Sequence, residues 1–203
     1  MTENKKAVIY MMLASLIFSS MNLIVKQLDD IPVAQIVFMR SIVMLIMVAA
    51  IVKKQKIKPF GSHKKLLIFR GLFGSLGIAF FFYTLHTMPL ASAVVVHYLT
   101  PLITVLISVL ITKVPIAPLR WLFFLLCLVG IYIIKDFDDR VEVVPLVVGV
   151  LGTIAASAAY NVISVLKKSE HHFVVMLYFP MVTVPLVLLY IFISGDWVWT
   201  TPL

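Results

Sequence analysis

The sequence predicts an all-α integral membrane protein, a polytopic bundle with seven visible transmembrane helices. Three observations predict it. Hydrophobic residues make up 62% of the 203 residues and charged residues only 13%, against roughly 45–50% and roughly 25% in soluble domains. The apolar residues fall into seven long runs. Lysine and arginine gather on alternate connections between those runs. A water-soluble core could not hold so much apolar surface, whereas a bilayer with a hydrocarbon layer about 30 Å thick takes roughly 20 apolar residues per helix.

The runs in order are Ala7–Val25, Val33–Val52, Leu66–Leu85, Ala91–Ile111, Leu119–Ile134, Leu146–Leu166 and Phe173–Ile193. Strands of a membrane barrel are about 10 residues long and alternate in polarity; these runs are longer and continuous. Helices satisfy their backbone groups internally, as lipid demands. Lys5 and Lys6 precede the first run as they would a signal peptide, but 19 residues exceed the usual h-region and no small-residue cleavage site follows. The first run is therefore read as a retained span. The fifth is the shortest, at 16 residues.

Charge sets the expected orientation. One face collects 13 of the 17 basic residues, among them Lys5, Lys6, Lys113, Arg120, Lys167, Lys168 and the cluster from Lys53 to Arg70; the other holds Lys26, Lys135 and Arg140. In this count Arg40 alone lies inside a span. Seven of the nine acids sit on the face poor in lysine and arginine. The positive-inside rule then puts the N-terminus in the cytoplasm, and seven crossings put the C-terminus outside. A net charge of +8 does not here imply nucleic acid, because the basic residues flank spans instead of forming one stripe. The Lys53–Lys65 cluster fits topology and contact with anionic lipid. Trp197 and Trp199 fit the headgroup layer beyond the last span. Cys127 is the single cysteine, so no intrachain disulfide can form.

The polar residues inside the spans carry the functional question. Arg40 lies about 10 Å into the second span at 1.5 Å per residue, where an arginine costs about 2.5–3.5 kcal/mol on insertion scales. It is read either as a clamp for an anion or carboxylate, or as a side chain that snorkels or pairs with Asp29 or Asp30. The fourth span carries His97, Tyr98, Thr100, Pro101 and Thr104. Pro101 cannot donate to the carbonyl of His97, which leaves that oxygen for a ligand or water, or for repair by Thr100 or Thr104. Ser15, Ser19, Ser20 and Asn22 form a polar set on the first helix, and Ser157, Tyr160, Asn161 and Ser164 another on the sixth. Ligand contact and interhelical hydrogen bonds of about 0.6 kcal/mol each both account for them. Tyr160 and Asn161 are adjacent, so at most one of them faces a central cavity. Gly71, Gly74, Ser75 and Gly77 form a small-residue face suited to close packing, and Tyr83 suits an aromatic belt or a cavity wall. The candidate substrate-binding residues are thus Asn22, Arg40, Tyr83, His97, Tyr98, Pro101 and Tyr160.

Several classes are disfavoured. No Asp or Glu lies within a span, the seventh span has no lysine for a retinal Schiff base, and no Ser/His/Asp set, metal-ligand cluster or phosphate loop appears. His171 and His172 read as a solvated loop pair. No enzyme activity, cofactor or metal is expected. An intramembrane enzyme acting on lipid would need an acid/base set that the spans lack.

An internal repeat completes the pattern. Ala14/Ala156, Ser15/Ser157, Phe18/Tyr160 and Lys26/Lys168 share one offset of 142 residues. Five helices separate the start of one unit from the next, and an odd number inverts the second copy, as in carriers of the alternating-access kind. The motifs Ala14-Ser15-Leu16-Ile17-Phe18-Ser19, Phe38-Met39-Arg40, Arg70-Gly71-Leu72-Phe73-Gly74, Tyr83 to Ala91, Tyr98-Leu99-Thr100-Pro101-Leu102 and Gly130 to Ile134 follow in an order that resembles the EamA-type transporters of the drug/metabolite transporter superfamily. The resemblance implies ten helices in two inverted five-helix units, a central cavity, and movement of small metabolites or drug-like solutes across the bacterial inner membrane. It divides the chain at residues 1–137, a first repeat, and 138–203, a second repeat holding two helices. The chain is thus expected to be a truncated carrier, or one completed by a partner or missing segment. The expected partners are the lipid bilayer and a small solute, with no nucleic acid. A non-transporting membrane interaction protein is the competing reading.

Overall fold

In the computed structural model, the described residues are 3–28, 30–112, 121–122, 125–126, 129–130, 133 and 141–195. They form α1 (Glu3–Gln27), α2 (Val33–Lys54), α3 (Lys64–Thr87), α4 (Leu90–His97), α5 (Thr100–Thr112), α6 (Val143–Leu166) and α7 (His172–Ser194). Six stretches of 21–24 residues are long and apolar enough to cross a membrane, α4 and α5 together supplying one of them. That is one fewer than the seven expected. The difference is the fifth run: most of 119–134 lies outside the described residues, as do Cys127, Trp197 and Trp199, while Trp121, Leu125 and Val129 within it are helical and exposed. At 1.5 Å per residue these helices are about 32–36 Å long, enough for the hydrocarbon layer. Their outer faces carry exposed Tyr10, Met11, Ile17, Leu110 and Phe192, an arrangement that suits lipid and not water.

α3 is the central helix. Its small residues permit close approach on two sides. A Cβ at Gly77 would stand 3.1 Å from the backbone nitrogen of Ala156 on α6, and one at Gly71 would stand 2.7 Å from Val182 Cγ2 on α7. The small-residue face is therefore a packing face. Ser75 and Thr183 approach to 2.6 Å across α3 and α7, and each also reaches a carbonyl of its own helix, at Gly71 and Phe179. Each hydroxyl has one proton, so one bonds across while the other bonds back.

Three apolar clusters lie along the bundle. Phe81, Phe82, Leu85, Met88 and Val96 fill one end. Leu67, Leu166, Val174 and Tyr178 fill the other, and Val48, Val52 and Leu177 join α2 to α7 beside them. Two polar contacts tie the connections together. The α2–α3 and α6–α7 loops, both rich in lysine, meet where Glu170 accepts from the backbone N–H of His63 at 2.7 Å. Gly61 makes room for this, since a Cβ there would stand 2.6 Å from Glu170 Oε2. At the opposite end Lys26 donates to the carbonyl of His86 at 3.1 Å, a cation at the C-terminus of α3, where the helix dipole favours it.

Candidate solute-binding site

The fourth run is not one helix. α4 stops at His97, Tyr98 and Leu99 form a turn, and α5 begins at Thr100. Pro101 dictates the break, because it has no N–H for the His97 carbonyl. That oxygen does not stay open for a ligand: the Thr100 hydroxyl donates to it at 2.6 Å. The neighbouring turn is bound instead to α6. Ser157 donates to the carbonyl of Thr100 at 2.9 Å, and Asn161 donates to that of Thr104 at 3.0 Å. Ser157 and Asn161 are buried and face α5, while Tyr160 is 52% exposed. The adjacent pair on α6 thus divides as their helical spacing requires, with Asn161 structural and Tyr160 directed to open space.

That space is a cavity of ≈ 210 Å³ between α2, α3, α6 and α7, bordered by Arg40, Arg70, Gly74, His97, Tyr160 and Phe179. A second recess of ≈ 530 Å³ runs along the broken helix past Tyr98, Pro101 and Thr104. Phe18, His97 and Tyr160 border both. The His97 ring lies 4.2 Å from that of Phe81, centroid to centroid, which holds it at the boundary.

Arg40 and Arg70 enter the first cavity from antiparallel helices. Arg40 is seven residues past Val33 and Arg70 six past Lys64, about 10 Å and 9 Å along their axes. The Arg40 Cζ lies 5.7 Å from the Phe82 ring centroid and that of Arg70 4.7 Å from Phe179. Nε and Nη1 of Arg70 are buried without a hydrogen-bond partner among the described residues. Neither guanidinium has a carboxylate partner among them, and Asn22 Oδ1 is also buried without a partner there. A Cβ at Gly74 would stand 3.1 Å from Arg70 Nη1, so glycine is what lets the guanidinium lie along α3. Arg70 corrects the charge count above: it belongs to the cavity and not only to the basic flank. Its place seven residues into the helix was visible in the sequence. Its direction was not.

The candidate residues therefore separate. Arg40, His97 and Tyr160 meet at one cavity, and Tyr98 and Pro101 border the recess next to it. Tyr83 lies in another apolar groove with Leu72, Leu76, Leu186 and Tyr190. Asn22 is 4% exposed and borders none of these spaces.

Residues 5–135 match the EamA-like transporter family. The pseudopaline exporter CntI of Pseudomonas aeruginosa is 30% identical over 178 residues, which cover 86% of this chain and 62% of that protein. An uncharacterized transporter of Helicobacter pylori is 32% identical over 163 residues, covering 77% of this chain and 54% of the relative. The human solute carrier family 35 member G1 is 28% identical over 128 residues, 62% of this chain and 35% of its own. The chain thus spans less than two thirds of the length of each. No solved structure matches it.

Proposed function

Because the chain belongs to the EamA-like transporter family, we propose that it forms the larger part of a secondary carrier that exports small solutes across a bacterial inner membrane, with its N-terminus in the cytoplasm. The observation that carries this reading is the junction of the broken α4–α5 helix with α6. It sets irregular backbone, two cross-helix hydrogen bonds and a cavity at one level of the bundle. Broken backbone is tolerated in a bilayer where it lines a cavity or is buried in protein, and carriers with inverted repeats bind solute where the repeats meet. α5 lies in the first expected repeat and α6 opens the second. Alternating access is then a rocking of one repeat against the other, with the Ser157 and Asn161 contacts slipping or re-forming between the two states. Export as the direction draws on the relative named an exporter.

The test is uptake and efflux in proteoliposomes of the full-length protein over a panel of anionic, neutral and cationic metabolites. Movement of at least one class, abolished when Pro101 or Tyr160 is replaced in a protein that still folds, is the expected result. Failure of every solute to move rejects a carrier.

A further inference from the structure

We propose that the cavity between Arg40 and Arg70 receives the anionic head, a carboxylate or phosphate, of a small solute whose body is apolar or aromatic. This rests on reading the cavity as the solute site. Two guanidiniums border the same ≈ 210 Å³ space, and neither has a carboxylate or hydrogen-bond partner among the described residues. No acidic residue borders the space with them. Charged side chains within membrane spans pair with each other or mark a substrate path, and here the first option is missing among the described residues.

The contacts that do exist favour a ligand. The Phe82 and Phe179 rings stand against the two guanidiniums. A ring contact leaves a guanidinium's N–H donors without an oxygen acceptor, and those donors form the fork that matches two oxygens of a carboxylate or phosphate. Nε and Nη1 of Arg70, on opposite edges of the guanidinium, are enclosed by protein and have no hydrogen-bond partner among the described residues, so the charge is not satisfied by its own surroundings. An anion between the two guanidiniums would supply the counter-charge both lack and offset the repulsion between like charges at low dielectric. Apart from His97 and Tyr160 the rest of the wall is apolar, and the adjoining ≈ 530 Å³ recess adds Tyr98, Thr100, Pro101 and Thr104. This is room for a body and not for a second charge.

The experiment compares two probes that differ only in charge, N-acetylphenylalanine and N-acetylphenylalaninamide, on the full-length protein in phosphatidylcholine nanodiscs. Binding is read by titration and by melting temperature. The carboxylate should bind and raise the melting temperature, and the amide should do neither. R40Q and R70Q should weaken the carboxylate by about tenfold or more, with R70K retaining part of the response. Without ligand, both glutamine variants should melt at or above the wild type, since each removes a buried and unpaired charge. A purely structural arginine would give the opposite sign. Equal response to both probes, no response to either, or glutamine variants that bind like the wild type would overturn the proposal. So would an arginine-dependent stabilisation by phosphatidylglycerol nanodiscs with none by the soluble carboxylate, which would assign the site to a lipid headgroup. Transport separates the anion site from the carrier. Transport of neutral or cationic solutes unaffected by R40Q and R70Q sinks the anion site alone. Arginine-dependent binding with no solute moved sinks the carrier alone.

Discussion

Replacing Gly71 by alanine puts one carbon into the α3–α7 contact. That carbon would stand 2.7 Å from Val182 Cγ2, 2.8 Å from Val182 Cβ and 3.0 Å from the Tyr178 carbonyl oxygen. Carbon atoms at their preferred distance are about 3.5–4.0 Å apart, so the helices must part by several tenths of an ångström or more. Overpacking of this kind costs about 1–3 kcal/mol. Alanine returns about 0.8–1.0 kcal/mol of helix propensity. Parting the helices also stretches the 2.6 Å Ser75–Thr183 contact one turn away, which adds about 0.6 kcal/mol. The net expectation is a destabilisation of about 0.6–2.8 kcal/mol, seen as a fall in melting temperature of a few degrees by the scale of about 2–4 °C per kcal/mol for 150–250 residues. The assay is reversible denaturation of the full-length protein in detergent, as a double-mutant cycle with Val182→Gly. That second change removes both carbons the new methyl meets, so the pair should be more stable than the sum of the singles by about 1 kcal/mol. A Gly71→Ala protein as stable as the wild type, or a cycle without coupling, would refute close packing as the reason for glycine there.

Gly74→Val should push the Arg70 guanidinium off α3, because a Cβ there stands 3.1 Å from Nη1 and 3.0 Å from Phe179 Cδ2; transport should fall several-fold while the melting temperature changes by less than for Gly71→Ala, and unchanged transport counts against Arg70 in the site. Ser157→Ala and Asn161→Leu should each lower stability by about 0.6 kcal/mol, and by no more than about 1.7, in denaturation of the same preparation. The N–H of His63 bonded to Glu170, with the His63 ring beside it, holds the Glu170 carboxyl below its usual range. A lowered folded value stabilises the protein above the unfolded carboxylate value, and the effect is lost as pH falls through the folded one. Melting from pH 7 to pH 3 should therefore show an acid loss in the wild type that Glu170→Gln lacks. Single cysteines at Lys56 and Lys168 should react with an impermeant maleimide from the cytoplasmic side only, and one at Lys26 from the opposite side only; labelling of all three from one side would contradict the orientation.

Sequence reading reached the class and the helix limits because lipid leaves few options. Apolar runs of fixed length punctuated by charge define spans directly, and α2, α3, α6 and α7 begin and end within three residues of the expected limits. The break near Pro101 was legible from a missing N–H. Repair by Thr100 or Thr104 was one of two readings the sequence left open, since serine and threonine rotamers choose between carbonyl and ligand only when neighbours are present; the structure selects Thr100. Faces were the harder matter. In water an amphipathic stripe shows which side of a helix turns inward; these helices are apolar all round, so the sequence did not show that Tyr83 and Arg70 leave α3 toward different spaces, or that Asn22 is buried away from both. Arg70 was hidden for a second reason. A basic residue near a span end satisfies the topology rule, which offers a sufficient account and stops the search.

Phe18, His97 and Tyr160 form a common bulkhead between two chambers. A rotamer change that widens one chamber narrows the other, so their volumes are traded and not set independently. Whatever fills the smaller chamber reshapes the larger through the same three side chains, and a substitution in that bulkhead alters two apertures at once.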